Sequence, residues 1–158
     1  MSDMRPAPIV CKQGDKKYRL LFTLTAVDEI QSRLNMPIST AIGNLGDIKT
    51  LKVLISALAG EEIKIYPGDI SALKSLVMLA VASGMPQRDE DAEEIIEDKE
   101  AEMFPVARAL YIGTTVLGFP EAEVWDMTLR KLLLLYTEHR KYTGTYRKPV
   151  TIDDVIPL

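Results

Sequence analysis

Cys11 and His139 are the only cysteine and the only histidine in the chain. Nucleophilic, zinc and general-base chemistry therefore have little to draw on. A cysteine nucleophile needs an orienting base, and a Cys/His metal cluster needs several ligands, not two. His139 falls between Glu138 and Arg140 in a helical stretch, where an ordinary exposed imidazole is the simpler reading than a tuned base. Cys11 reads as a small apolar strand residue. No GxGxxG and no GxxxxGK[ST] occurs, so neither common phosphate cradle is present.

Carboxylates are the remaining source of chemistry. Residues 89–102 hold nine acids and one base, Lys99, a local charge of −8, so the rest of a chain at −4 overall carries +4. Asp89, Asp91, Glu93, Ile95, Glu97 and Glu100 fall at the ligand positions of an EF-hand loop, but Glu94 stands where the sharp turn demands glycine. Asp98 and Glu102 could be imagined as a two-carboxylate nuclease pair, yet no neighbouring motif fixes a metal or a nucleophile. The segment reads as a solvated face or loop. Arg130, Lys131, Arg140, Lys141, Arg147 and Lys148 form a basic stretch opposed only by Glu138. Complementing a helix dipole and the acidic segment accounts for these cations better than nucleic acid does, because the whole chain is acidic and no stacking aromatics are interleaved. No catalytic, cofactor-binding or metal-binding residue is assigned, and no cofactor is expected.

The elements around these residues follow from periodicity. Ile9-Val10-Cys11, a turn at Gln13-Gly14-Asp15, and the alternation of Tyr18, Leu20, Phe22 and Leu24 predict a hairpin. Thr25 is the expected N-cap of a first helix, with Asp28 and Glu29 in its first turn and Val27, Ile30 and Leu34 on one face. Asn35 to Gly46 reads as a linker. Leu51, Leu54, Ile55 and Leu58 mark a second helix ended by Gly60. Residues 71 to 83 are apolar almost all round, which predicts the most deeply buried helix. A further helix is expected over Val106 to Leu117 after Pro105, then a final helical region from Val124 through Leu129, Leu132, Leu133 and Tyr136.

The fold class predicted is α+β, mainly α: an N-terminal β-hairpin, about five or six packed helices, and an extended C-terminal tail. Residues 1–142 form the single domain and residues 143–158 the tail. The expected core includes Leu20, Phe22, Val27, Ile30, Leu54, Leu58, Leu76, Val77, Leu110 and Leu132. An apolar share of 47% with 27% charged residues is globular composition. A single cysteine excludes a disulfide-stapled secreted domain. The N-terminus lacks the apolar stretch of a signal peptide, and the clean apolar run Leu76 to Ala82 is far short of the ~20 residues of a membrane span. A bacterial cytoplasm is the expected location.

The order of features then resembles a family. The hairpin with Gly14 in its turn leads into Tyr18-Arg19-Leu20-Leu21-Phe22-Thr23-Leu24, followed by Ala26 and Glu29-Ile30, two apolar central helices, Gly118-Phe119, and Val124-Trp125-Asp126-Met127-Thr128 before a leucine-rich helix. Over residues 8 to 142 this resembles the tail assembly chaperones of long-tailed bacteriophages and their prophage relatives. The resemblance implies a non-enzymatic protein that binds the tape-measure protein, keeps its hydrophobic helices soluble, recruits tail-tube subunits and leaves before the virion is complete. Many such proteins are also made as a longer frameshifted form. Seven methionines suit adaptable apolar grooves, with Met78, Met85, Met103 and Met127 as candidates beside core filling. The partner-binding residues expected are Trp125, Met127, Tyr136, Tyr146, Val150, Ile152, Val155 and Ile156. The last five lie in the tail, which has three open fates: a disordered end, a strand on the chain's own hairpin edge, or a strand on another copy, which would make a homo-oligomer. Two other classes stay open, a head–tail connector retained in the particle and a small DNA-associated regulator.

Overall fold

The computed structural model describes residues 9–85 and 102–144. The acidic stretch 89–101, and with it the EF-hand spacing, lies outside the described residues. So do Tyr146, Val150, Ile152, Val155 and Ile156.

The hairpin pairs β1 (Ile9–Gln13) with β2 (Lys16–Leu20), antiparallel, with Cys11 opposite Tyr18 and Ile9 opposite Leu20. Gly14 turns the chain at φ 58°, a left-handed conformation that favours glycine. Alternation sends Cys11 and Leu20 into the core and leaves Val10 outside. The strand stops at Leu20, short of the expected Leu24. Beyond it the Leu21 amide donates to Leu58 O at 3.0 Å, and Leu24 N donates to Met127 O at 3.0 Å.

Seven α-helices follow among the described residues: α1 (Leu24–Leu34), α2 (Ile38–Gly43), α3 (Ile48–Ala59), α4 (Ile70–Gly84), α5 (Val106–Tyr111), α6 (Glu121–Trp125) and α7 (Leu129–Tyr142). The mainly helical architecture with its leading hairpin is the one the sequence predicts. The boundaries differ in four places. Thr23, not Thr25, caps α1, its hydroxyl accepting from Ala26 N; Asp28 and Glu29 therefore fall beyond the first turn. The Thr25 hydroxyl donates instead to Trp125 O at 2.9 Å. The stretch read as a linker contains α2. The final helical region is split, because Thr128 pairs with Thr23 in an isolated antiparallel bridge and caps a new helix by accepting from Lys131 N. The helix after Pro105 widens into a π-helical turn over Ile112–Val116, where Gly113 lies against Val124 so closely that a Cβ would come within 2.6 Å of its Cγ1.

The centre of the core is α3, not α4. Eight residues of α3, Thr50, Leu51 and the whole turn and a half from Val53 to Leu58, are buried, and α3 packs on α1, β2 and α4. Its N-cap Asp47 accepts from both Thr50 N and the Thr50 hydroxyl. The all-round apolar α4 packs by one side only, through Leu73, Val77, Ala80, Val81 and Gly84, against β1, α3 and α7. Leu76 and Leu110, both expected in the core, are half-buried.

Gln31 joins distant parts of the fold. Its Oε1 accepts from Phe104 N at 2.7 Å and from Ile38 N at 3.2 Å, and its Nε2 donates to Phe104 O at 3.1 Å. One buried amide thus fixes the start of α2 and the chain entering α5 on the flank of α1.

Candidate partner-binding surface

The solvent side of α4 is chemically unusual. Ser71, Ala72, Ser75, Met78, Leu79 and Ala82 are all exposed, and at 100° per residue they fall in one arc of roughly 120°. None carries a charge. The Ser75 hydroxyl is turned back to Ser71 O at 3.2 Å, so it satisfies itself within the helix. Met78 is 49% exposed and Leu79 is 55% exposed. From Ser71 to Ala82 the strip runs about 17 Å at the helical rise. A solvent-facing helix ordinarily places charged residues on that face; this one presents two large flexible or branched apolar side chains among small ones. Such a surface receives another apolar helix, because small residues allow close approach and a thioether adapts to irregular shape.

The residues singled out from sequence divide into three groups. Met127 and Tyr136 are buried and belong to the core; their helical spacing marked packing, and the Arg140 guanidinium lies over the Tyr136 ring at 5.8 Å. Trp125 is half-buried, its indole N–H donating to Glu121 Oε1 at 3.2 Å, so its polar atom is engaged on α6 itself. The five tail residues lie outside the described residues. Of the four methionines considered, Met78 and Met103 are exposed, Met85 is half-buried and Met127 is buried. Leu79, which the sequence places in the most deeply buried helix, is exposed instead.

Two surface depressions accompany the α4 strip. One, of about 640 Å³, lies at the C-terminal end of α7, between Leu135, Glu138, His139, Lys141 and Tyr142 and the Leu117–Phe119 connection. The other lies between the hairpin turn and residues 62–69, with Lys12, Lys16 and Lys64 facing Glu62 and Asp69; the Gln13 side-chain amide donates to Lys64 O across it. Its charges are mixed.

Cys11 is buried in the hairpin. Burial pushes its thiol above the ordinary value, and the Asp69 carboxylate pushes in the same direction, so the neutral thiol is held at neutral pH. His139 is half-buried in the wall of the α7 groove, far along the chain from Cys11 and on a different element. Among the described residues no group of three or more His, Cys, Asp or Glu could hold a metal ion, and no helix is long and apolar enough to cross a membrane.

No protein-family model, curated protein or solved structure matches this chain.

Proposed function

We propose that this chain is a non-enzymatic tail assembly chaperone of a long-tailed phage or prophage, acting in the host cytoplasm. It holds amphipathic helices of the tape-measure protein and recruits tail-tube subunits to them. The observation that carries this reading is the uncharged outer face of α4, with Met78 and Leu79 set on a rigid helix anchored to the core. A helix-in-groove or helix-on-helix contact needs such an apolar strip. The feature order in the sequence supports the same class.

The chaperone occupies its partner during assembly and departs, which separates it from a connector that stays in the particle. Mass spectrometry of purified virions tests this: the chain is expected to be absent, and stoichiometric recovery with the capsid and tail proteins would overturn the reading. His139→Ala is expected to leave particle assembly intact, because the activity is binding alone. Loss of assembly by that variant with its fold preserved would call for a different chemistry at α7.

A further inference from the structure

We propose that the outer face of the hairpin is a docking surface for an extended, acidic segment of a partner protein. The hairpin carries Lys12, Lys16, Lys17 and Arg19, with Asp15 in the turn as its one acid. All four cations are exposed, and none takes part in a salt bridge among the described residues. Alternation divides the strands by face. Cys11 and Leu20 point into the core, so Val10, Lys12, Lys17 and Arg19 share the side turned to solvent. Lys12 stands directly opposite Lys17, and Val10 opposite Arg19. Like charges directly opposite each other weaken a sheet, and the hairpin keeps this pair without an acid to relieve it. Glu62 and Asp69, across the adjoining depression, form no salt bridge with Lys12, Lys16 or Lys64 among the described residues. Glu62 lies instead 3.6 Å from Arg33 Nη2 and 4.0 Å from Lys52 Nζ.

The face selects its occupant by charge and by spacing. Its two rows, Lys12 with Lys17 and Val10 with Arg19, are two residues apart along the strands, which is about 7 Å. Alternate side chains of an extended peptide repeat at the same distance. One carboxylate can therefore bridge the Lys12–Lys17 pair while the next on that side meets Arg19. Val10, 42% exposed, offers apolar contact between them that a peptide side chain uses and a phosphate backbone does not. No aromatic ring on this face gives a base a stacking platform, since Tyr18 pairs with Cys11 on the inner face. A second copy of the hairpin would bring lysine against lysine, the arrangement by which strand edges resist self-pairing. The acids elsewhere in the chain have little reach, because exposed charges are largely screened beyond about 10 Å at ordinary salt. The inference stands apart from the tape-measure reading, which rests on α4.

Fluorescence anisotropy of the full-length chain with short labelled probes tests it. One peptide alternates glutamate with serine around a central valine; a copy with glutamine for glutamate and an oligothymidylate of similar length are the comparisons. The glutamate peptide is expected to bind at low salt and to weaken as salt rises, and the glutamine copy to bind at least tenfold more weakly. An exposed ion pair changes affinity by up to about fivefold. Lys12→Glu/Arg19→Glu turns attraction into repulsion at two positions and should lose at least tenfold. Its melting temperature should equal or exceed that of the wild type, because Lys17 then faces an opposite charge across the strands. Arg19→Gln, which leaves the Lys12–Lys17 pair as it is, should lose roughly threefold. Lys49→Glu, at an exposed position of α3, makes the same charge change off the hairpin and should bind as the wild type does. Failure of the wild-type chain to bind the glutamate peptide would overturn the proposal. So would undiminished binding by Lys12→Glu/Arg19→Glu, an equal loss in Lys49→Glu, or tighter binding of the oligothymidylate, which would make the occupant a nucleic acid.

Discussion

Replacing Gln31 by leucine should destabilise the fold by more than its modest size suggests. The side chain is 5% exposed, and its three hydrogen bonds satisfy Ile38 N, Phe104 N and Phe104 O. Leucine fills comparable space and removes the burial cost of the amide. It leaves three backbone groups without their partner. An orphaned buried donor or acceptor costs about 1–3 kcal/mol, so the lower end of that range gives a loss of roughly 3 kcal/mol for Gln31→Leu. Urea unfolding measures this: the midpoint should fall while the slope stays constant, because the surface exposed on unfolding is unchanged. Gln31→Glu separates the acceptor and donor roles. Its carboxylate still accepts from two amides but faces Phe104 O without a proton to donate. Gln31→Glu is therefore expected to lose stability at neutral pH, where the carboxylate is charged and cannot donate to Phe104 O. A loss under about 1 kcal/mol for Gln31→Leu would refute the reasoning, since it would mean that water or backbone adjustment satisfies all three groups.

Other expected outcomes are simpler. Gly84→Ala should lower stability by about 1–3 kcal/mol, because a Cβ at Gly84 would lie 2.5 Å from Phe22 Cβ and 2.9 Å from Phe22 O; thermal unfolding checks it. Thr128→Ala should cost about 1 kcal/mol through loss of the α7 cap, read from the same melts. Leu54→Ala, at a fully buried position, should cost more than Leu76→Ala at a half-buried one, with the former in the range of roughly 2–5 kcal/mol. Cys11 keeps its proton longer in the folded than in the unfolded state, so its contribution is complete below the ordinary thiol value and is lost as pH rises through the raised folded one. Cys11→Ala should flatten that alkaline decline in urea unfolding measured from pH 7 to 10.

Elements with a strong period were legible in the sequence. Leu51, Leu54, Ile55 and Leu58 located α3 and its buried face, and Gly14 located the hairpin turn. What failed were positions decided by distant partners. Thr23 and Thr25 are both good caps, and only the bridge from Thr23 to Thr128 together with the Leu24–Met127 bond chooses between them. Gln31 gave no signal because periodicity separates apolar from polar positions, not exposed polar groups from buried ones. The α4 strip was misread for a related reason. An apolar-all-round pattern is the same for a helix enclosed by the core and for one awaiting a partner, and the difference lies in which neighbours the fold places around it. Met127 and Tyr136 drew attention as binding residues because aromatic and thioether side chains serve cores and interfaces alike.

Co-expression with a tape-measure protein of a long-tailed phage, the partner the proposal assigns, tests the central proposal most directly. The wild-type chain should keep that protein soluble and co-purify with it. Met78→Lys/Leu79→Lys alters only exposed positions of α4, so it should retain the wild-type melting temperature yet leave the tape-measure protein in the insoluble fraction. Undiminished co-purification by the folded double variant would contradict the assignment of the α4 face as the surface that holds the partner.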